Sequence, residues 1–229
     1  MKEPKLTEEE NSLLQKIRTL QEQLFPDALD PTDGLRMKSD RYSWHYRPSH
    51  HIASGLLTSE DMRLLAEPGK RLLSVGAFPA YLELLLPELG VPAENIVIAD
   101  SDAAIASHAG KLQTIVFDML EKWPQMGTFD RILFPESLCI ALSDKLRTES
   151  TISPVADLTR HANDPREAEL LANVLQESLA RLRGGGIIRA NGPMSHPNVV
   201  KAANTLLQQR GHDVLIDYKR YLLTIRAKN

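Results

Sequence analysis

The residues with the clearest chemical meaning lie where two short apolar runs end. The run 72–75 ends at Gly76 and is followed by a segment compatible with a helix, and the run 96–99 ends at Asp100. A glycine in this position permits a tight turn and a close approach of the backbone, while the helix that follows offers free N–H groups to a ligand. This layout is typical of a nucleotide-type binding turn.

Two later runs also end in residues that could do chemistry. Asp118 and Met119 close the stretch LQTIVFDM, and Pro135 and Glu136 follow the stretch FDRILF. Glu136 is either a general base or a solvated side chain. Pro135 also fits a residue that simply terminates a strand.

The segment 41–51, RYSWHYRPSHH, has the most unusual composition, since the chain as a whole contains only 5% aromatic residues. It is either a surface segment pinned by its aromatic side chains or a lid that closes over a ligand. No metal is expected there, because no cysteine or carboxylate stands at ligand spacing from the histidines. The candidates for such a lid are Tyr42, Trp44, His45, Tyr46, Arg47 and His50.

Two isolated residues could be catalytic, but simpler interpretations are favoured. Cys139 could be a covalent nucleophile, although a free cysteine is more often a small buried hydrophobe. His196 lies in the NGPMSHP loop after the predicted fifth strand, at the ligand-binding edge of the sheet, and could reach a substrate. A loop histidine satisfied by its neighbours is the favoured interpretation of His196.

The composition excludes several classes of protein. With 42% hydrophobic and 25% charged residues, the chain resembles a globular protein with one sizeable core. A net charge of −3 provides no basic field for phosphates, so no nucleic-acid partner is expected. A single cysteine permits no internal disulfide, no apolar stretch is long enough to cross a membrane, and the start MKEPKLTEEE lacks the apolar core of a secretory signal. We therefore expect a cytoplasmic protein with no membrane partner.

The N-terminal part of the chain is predicted to be a helical extension. An amphipathic helix is predicted over 7–24, where Thr7 and Glu10 have capping-box spacing, and a loop over 25–34. The apolar stripe of this helix covers either its own domain, which we favour, or a second copy of the chain in a homodimer. Thr58 caps a second, short helix.

From residue 70, short apolar strands alternate with helices, as expected for parallel strands covered on both faces. The strands are predicted at LLSVGA, NIVIAD, LQTIVFDM, FDRILFPESL and IIRA, and the helices at 82–89, at 102–110, after Asp164 and at 197–210. The triple glycine 184–186 is predicted to end the third helix. The final runs, DVLIDYK and RYLLTIRA, are too close together for a crossover helix and must pair antiparallel. The chain is thus divided into an N-terminal helical extension or lid, 1–69, and an α/β domain, 70–229.

This arrangement resembles the class I S-adenosylmethionine-dependent methyltransferase fold over about residues 41–229. The resemblance implies a doubly wound, mostly parallel seven-stranded sheet with a terminal antiparallel hairpin. A dinucleotide-binding dehydrogenase begins in the same way, but its sixth strand is parallel and follows a helix. In LLSVGAFPAYLE, a degenerate form of the family's glycine motif, Gly76 stands on the first glycine, Phe78 on the second and Ala80 on the third. Ser74 stands where an acidic residue often lies.

The resemblance also implies roles for residues that would bind S-adenosylmethionine. Asp100 would accept hydrogen bonds from both ribose hydroxyls, the alternative being that it caps the helix 102–110. Asp118 would meet the exocyclic amine of the adenine, and Met119 would lie against its face. The Phe78 ring would either wall the cofactor pocket or partly fill it. Further cofactor-side residues are Gly76, Ala77, Tyr81, Ser101 and Pro135.

The implied activity is methyl transfer to a small-molecule acceptor, with Glu136 as the candidate catalytic residue. Such a transfer is an in-line displacement that depends mostly on orientation, so no catalytic triad is required. Two alternatives stay open. One is a protein of the same fold that binds a ligand or partner without methyl transfer, motivated by Ser74, Phe78 and Ala80. The other is aminocarboxypropyl transfer, as in nicotianamine synthase-like proteins.

Overall fold

A computed structural model describes residues 7–26, 29–30, 34–38, 43–46, 48–148, 165–192, 197–219 and 222–228. Its helices are α1 Glu8–Leu24, α2 Pro48–Ala53, α3 Ser59–Leu65, α4 Tyr81–Leu85, α5 Ile105–His108, α6 Ser137–Thr148, α7 Pro165–Leu179 and α8 Pro197–Gln209. Its strands are β1 Leu29–Asp30, β2 Gly34–Lys38, β3 Ser43–Tyr46, β4 Leu72–Val75, β5 Ile96–Asp100, β6 Gln113–Val116, β7 Phe129–Pro135, β8 Leu182–Asn191, β9 Val214–Lys219 and β10 Leu222–Ala227.

The main sheet has seven strands in the order β6-β5-β4-β7-β8-β10-β9. The pairs from β6 to β8 are parallel, and β10 pairs antiparallel with both β8 and β9. Six strands therefore run in one direction, and the last strand of the chain is inserted between β8 and β9 in the opposite direction. This topology confirms the predicted doubly wound sheet with a terminal antiparallel hairpin.

Helices cover both faces of this sheet, which is why its central strands are apolar throughout. All four residues of β4 are buried. Leu73 packs in the core shared with α6, α7 and α8, while its neighbour Leu72 packs in the core shared with α1 to α5. Successive side chains of a strand point to opposite faces, so a strand that is covered twice needs apolar residues at both.

The N-terminal helix α1 packs on its own chain. The predicted capping box is present, since Thr7 and Glu10 exchange hydrogen bonds at the start of the helix. Ile17 is fully buried in the core below β4, whereas Leu24, near the helix end, stays 45% exposed. The stripe therefore covers the domain of its own chain, as favoured from the sequence. The extension also contains a three-stranded antiparallel sheet, β1-β2-β3, that the sequence did not predict.

A buried ion cluster joins α3 to the sheet across the predicted domain boundary. Asp61 lies in the first turn of α3, and its carboxylate accepts hydrogen bonds from Arg131 of β7, at 2.5 Å, and from Arg189 of β8. Burial alone would raise the pKa of Asp61, but Arg189 and hydrogen bonds from Arg131 and Thr58 outweigh it and hold the pKa below its ordinary value. Helix α3 is thus fixed to the sheet by charge as well as by apolar packing.

Several element boundaries differ from the predictions. The helix predicted at 82–89 ends at Leu85, and Pro87 begins a separate 3-10 turn because a proline lacks the N–H needed inside an α-helix. The helix predicted at 102–110 is only the four residues of α5. Helix α7 ends before the triple glycine, which lies within β8 instead. The predicted N-cap Asp164 lies outside the described residues.

No helix in the described part of the chain is both long and apolar enough to cross a membrane.

Candidate active site

The predicted glycine turn lies where the order of the strands reverses. Strand β4 pairs with β5 on one side and with β7 on the other, and ligands of open α/β sheets bind beside such a switch point. Gly76 follows β4 with φ +69°, and a Cβ on it would lie 2.2 Å from Cβ of Ser137 and 2.9 Å from Cε of Met119. Ser137, just after β7, donates a 2.6 Å hydrogen bond to the carbonyl of Val75. Glycine is required here because the two loops pack directly on each other.

The backbone amides of this turn are used within the chain. The N–H groups of Gly76 and Ala77 donate to the carbonyl of Ala99 at 2.7 and 3.2 Å. The N–H of Phe78 donates to Oδ2 of Asp100 at 3.0 Å. The turn is therefore tied to the end of β5 by three hydrogen bonds, and these three amides are already engaged.

The Phe78 ring lies beside α5. Its centroid is 4.8 Å from that of His108, with the two planes at 75°. The side chain is half-buried. Ala80, on the third glycine position of the motif, takes φ +66° and is fully buried at the start of α4.

Asp100 connects the two loops at the ends of β4 and β5. Its Oδ2 accepts the Phe78 amide, and its Oδ1 accepts the amide of Asp102 at 2.9 Å. Each carboxylate oxygen has a second acceptor position. Burial raises the pKa of Asp100, and these backbone hydrogen bonds oppose that shift. Asp100 is not the cap of α5, because the N-cap residue of that helix is Ala104.

The residues predicted to meet an adenine lie at the end of β6. Asp118 is exposed, and its Oδ1 accepts the amide of Leu120 at 2.9 Å. Met119 is buried, and its carbonyl accepts a 2.9 Å hydrogen bond from the indole of Trp123. Trp123 is itself buried and contacts Phe117 with 5.0 Å between ring centroids. A buried indole therefore fixes the position of Met119.

Two further cofactor-side candidates flank this edge. Tyr81 begins α4 and contacts Phe25 at the end of α1, with 4.9 Å between the ring centroids. Burial raises the pKa of the Tyr81 phenol. Ser101 is exposed directly after β5.

A buried carboxyl group that the sequence analysis missed lies behind the glycine turn. Glu83 of α4 is fully buried, and its Oε1 accepts a 2.6 Å hydrogen bond from the hydroxyl of Ser74. Burial raises the pKa of Glu83 to about 7, and the negative charge of Asp100 adds to the shift. Ser74 stands where the family's motif often has an acidic residue. Its hydroxyl is instead hydrogen-bonded to an acidic residue of α4, Glu83.

A second cluster of polar side chains lies at the ends of β7 and β8. Pro135 is the buried last residue of β7, and Glu136 follows it with φ +57°. The carboxylate of Glu136 lies 3.9 Å from Nε2 of His50. The Glu136 amide donates to Oδ1 of Asn191 at 3.0 Å, and Nδ2 of Asn191 meets Nδ1 of His51 at 2.9 Å. Asn191 was missed because the predicted fifth strand ends one residue before it.

Cys139 has the environment of a buried hydrophobe. Its thiol is 7% exposed and contacts the carbonyl of Glu136 at 3.0 Å. Burial raises the pKa of this thiol to about 12, so the nucleophilic thiolate is not formed near neutral pH. The favoured interpretation of this cysteine is confirmed.

Part of the predicted lid cannot be placed in the site. The side chains of Tyr42, Trp44, His45, Tyr46 and Arg47 lie outside the described residues, as does His196. The backbone of 43–46 forms β3, and His50 lies on α2. Within the described part of the chain, no three His, Cys, Asp or Glu side chains come together as a metal site.

Comparison with known proteins gives a likeness in structure but none in sequence. No protein-family model matches the chain, and no curated protein matches it significantly. A methyltransferase structure from Pyrococcus furiosus superposes with a TM-score of 0.50 at 10% identity, covering 96% of this chain and 97% of that one. TrmN from Thermus thermophilus gives 0.48 at 16% identity over 79% of this chain, which spans only 49% of TrmN. The N-methyltransferase NodS from Bradyrhizobium japonicum WM9 gives 0.44 at 11% identity, covering 80% of this chain and 97% of NodS.

The Pyrococcus likeness extends over nearly the whole of both chains, and the sheet of this chain has the reversed last strand expected for the fold. The chain therefore has the class I S-adenosylmethionine-dependent methyltransferase fold.

Proposed function

We propose that this protein binds S-adenosylmethionine at the ends of β4, β5 and β6 and transfers its methyl group to a small-molecule acceptor. The observation that carries the proposal is the position of Asp100. Its carboxylate lies at the end of the second strand and is hydrogen-bonded to the glycine turn, and a carboxylate oxygen can accept more than one hydrogen bond. Two acceptor oxygens are what a pair of ribose hydroxyls requires.

The neighbouring residues fit the rest of the cofactor. Asp118 is exposed and can accept a hydrogen bond from an adenine amine, while the buried Met119 offers an apolar surface to the ring. Ser101 follows Asp100 on the same edge. The carboxylates of Asp100 and Asp118 also suit a ligand that carries a positive charge.

Phe78 forms a wall of this pocket in our proposal. Its edge-on contact with His108 turns the ring toward α5, so the ring need not fill the space beside Gly76. The bound cofactor would supply an electrophilic methyl group. The protein would then contribute orientation, together with Glu136 as a base if the acceptor carries a proton.

The small-molecule acceptor is supported by the acidic composition, since a net charge of −3 provides no general attraction for nucleic acid. Tyr42, Trp44, His45, Tyr46, Arg47 and His50 remain proposed lid residues. A cytoplasmic location remains a proposal as well, and pairing of two chains through α1 remains one only for the residues that α1 leaves exposed, such as Leu24.

A second candidate function is ligand or partner binding without methyl transfer. It is favoured by the packing of Ser137 and Met119 against the α-carbon of Gly76, together with the internal use of the turn amides. These contacts leave less room beside the turn than a glycine motif with three glycines would give.

Calorimetric titration with S-adenosylmethionine and S-adenosylhomocysteine tests the proposal. We expect micromolar binding that Asp100→Ala weakens at least about tenfold, the typical loss for hydrogen bonds to a charged group. Asp102→Ala is the matched control, because the exposed side chain accepts from the Ala104 amide, while the Asp102 backbone amide that binds Asp100 is kept in alanine. Absence of binding at millimolar ligand would overturn the proposal. Binding without formation of S-adenosylhomocysteine from a panel of alcohols and amines would favour the second candidate.

A further inference from the structure

Asn191 is the last residue of β8, and its side chain contacts three residues from two other segments. Its side chain is 1% exposed and lies next to Pro135 in the parallel pairing of β7 and β8. The amide contacts the Glu136 backbone at 3.0 Å, the His51 ring at 2.9 Å and the Ser54 hydroxyl at 3.2 Å. One buried side chain thus joins the turn after β7 to helix α2 and the residue after it.

The donors in this group fix the orientation of the amide. A backbone N–H can only donate, so the atom that faces Glu136 must be Oδ1 and the two N–H bonds of Nδ2 must face His51 and Ser54. The Ser54 hydroxyl donates to the carbonyl of His51 at 3.1 Å, which leaves its oxygen free to accept from Nδ2. Every hydrogen-bonding position of the Asn191 amide group except the second lone pair of Oδ1 is then used.

The same reasoning fixes the proton on His51. Its Nδ1 receives the Asn191 N–H and must therefore be unprotonated, so the ring is neutral with its proton on Nε2. Burial and, to a smaller extent, the neighbouring His50 together lower the pKa of His51 to about 3, so the ring is neutral, as this assignment requires. His51 does not become charged in the neutral range.

Glu136 is held in an unfavourable backbone conformation by these contacts. Its φ of +57° is left-handed, a conformation that is strained for a residue with a side chain. Asn191 accepts its amide hydrogen, and the Cys139 thiol contacts its carbonyl. With its backbone N–H and carbonyl both hydrogen-bonded, Glu136 has its partly exposed carboxylate 3.9 Å from Nε2 of His50.

We propose that Asn191 is a positioning residue for the methyl acceptor, which it serves by holding Glu136 and α2 as one wall of the acceptor site. This inference rests on the proposed function. A carboxylate beside an imidazole suits an acceptor whose nucleophile is a hydroxyl or a protonated amine. The proton on that oxygen or nitrogen passes to a carboxylate oxygen of Glu136, and the lone pair left behind becomes the nucleophile.

Nitrogen-15 NMR of the full chain tests the network, with His51→Gln used to assign the ring signals. We expect the Nε2–H tautomer of His51, unchanged between about pH 5 and 8, where an ordinary histidine titrates. In Asn191→Asp the carboxylate can still accept the Glu136 amide hydrogen but has no N–H to donate to His51. We therefore expect Nδ1 of His51 to carry a proton in this variant and to donate it to the carboxylate. An Nδ1–H tautomer in the unmodified protein would overturn the assignment.

The place of this wall in the site is tested with S-adenosylmethionine carrying a carbon-13 methyl group. We expect nuclear Overhauser contacts from the methyl protons to Glu136 and His50 in the unmodified protein and in Asn191→Asp, and their loss in Asn191→Ala. Cofactor affinity should stay within about threefold in both variants, the scatter expected for changes away from the cofactor. Asn95→Ala is the matched control. Asn95 is a buried asparagine just before β5, and its side chain donates to the carbonyls of Leu65 and Glu67.

The outcomes separate this inference from the proposed function. Cofactor binding without a methyl contact to Glu136 or His50 overturns the assignment of Asn191 alone. Failure to bind the cofactor overturns the proposed function and the acceptor role with it, while the tautomer measurement still decides whether the network exists. Loss of the contacts in Asn95→Ala would show a general effect of destabilisation and would also count against the inference.

Discussion

The hydroxyl of Ser74 donates a 2.6 Å hydrogen bond to Oε1 of Glu83, and both side chains are fully buried between β4 and α4. The other carboxyl oxygen of Glu83 has no hydrogen-bond partner among the described residues. A buried carboxylate with one oxygen unpartnered is costly, so the neutral acid is favoured. The pKa of Glu83 accordingly rises from 4.5 to about 7.

Replacement of Glu83 by glutamine should change how stability depends on pH. The folded-state pKa is raised, so protonated Glu83 contributes stability that is complete below pH 4.5 and is lost as the pH rises through about 7. Glu83→Gln cannot ionise, so relative to the unmodified protein it should gain up to about 3 kcal/mol between these two limits. Urea unfolding at a series of pH values measures the difference.

The two proteins are compared by how steeply their free energy of unfolding changes with pH, and not by its absolute value. The side-chain amide introduced by Glu83→Gln would leave a buried N–H without a partner, and this cost is the same at every pH. Glu88→Gln on the exposed turn after α4 is the control and should leave the profile unchanged. Parallel profiles for Glu83→Gln and the unmodified protein would show that the pKa of Glu83 is not raised by folding.

The sequence predicted the strand ends better than the contacts made across the fold. Gly76, Asp100 and Glu136 could be placed because each directly follows an apolar run. Such a run predicts a strand, and the residue after it therefore lies at the end of the strand, at the edge of the sheet. Glu83 could not be distinguished from the other residues of its helix, because its burial depends on a serine in the preceding strand. Asp61 and Arg189 are 128 positions apart, and such a pairing leaves no local pattern.

Replacement of Gly76 by alanine should destabilise the protein more than the same change at Gly69. Both glycines have left-handed φ angles, which cost alanine about 1–2 kcal/mol. A Cβ at Gly69 would meet open space, whereas a Cβ at Gly76 would overlap Ser137, which should add about 1–3 kcal/mol. Thermal unfolding of the two variants measures the difference.

Ser137→Gly removes the two atoms nearest to the new Cβ, so that only the flexible end of Met119 remains within 3 Å of it. In combination with Gly76→Ala it should recover most of the added cost, visible as a favourable coupling in a double-mutant cycle. Equal losses of stability in Gly69→Ala and Gly76→Ala would mean that the loops after β4 and β7 do not pack as described.

Removal of the Phe78 ring should weaken cofactor binding if the ring is a wall. The edge-on contact with His108 places the ring against α5. If the ring also contacts the bound cofactor, loss of that aromatic contact should cost about 0.5–1.5 kcal/mol, up to about tenfold in affinity. Calorimetry on Phe78→Ala measures the loss, and Phe78→Gly shows what added backbone freedom contributes. Tighter binding in either variant would identify the ring as an obstruction.

Cys139 should resist thiol reagents in the folded protein. Because its pKa is raised from 9.0 to about 12, the thiolate fraction near pH 8 falls about a thousandfold. Labelling with a thiol reagent should therefore follow unfolding, and the single cysteine of the chain makes the measurement unambiguous. Rapid labelling of one thiol in native buffer would restore the nucleophile interpretation.

Loss of the Asp61 carboxylate should be among the most destabilising single changes in the chain. Asp61→Asn leaves Arg131 and Arg189 buried without a balancing charge, and breaking a buried pair in this way typically costs about 3–5 kcal/mol. Arg189→Met should cost less, because Arg131 and Asp61 remain as a neutral pair.

The pKa of Asp61 is lowered in the folded state, so its contribution is complete above its unfolded value of 3.8 and is lost as the pH falls through the lower, folded-state pKa. The acid side of the stability profile should therefore be shallower in Asp61→Asn than in the unmodified protein. Asp217→Asn is the control, because its exposed ion pair with Lys219 contributes little. An Asp61→Asn variant as stable as this control would mean that α3 is held to the sheet by apolar packing alone.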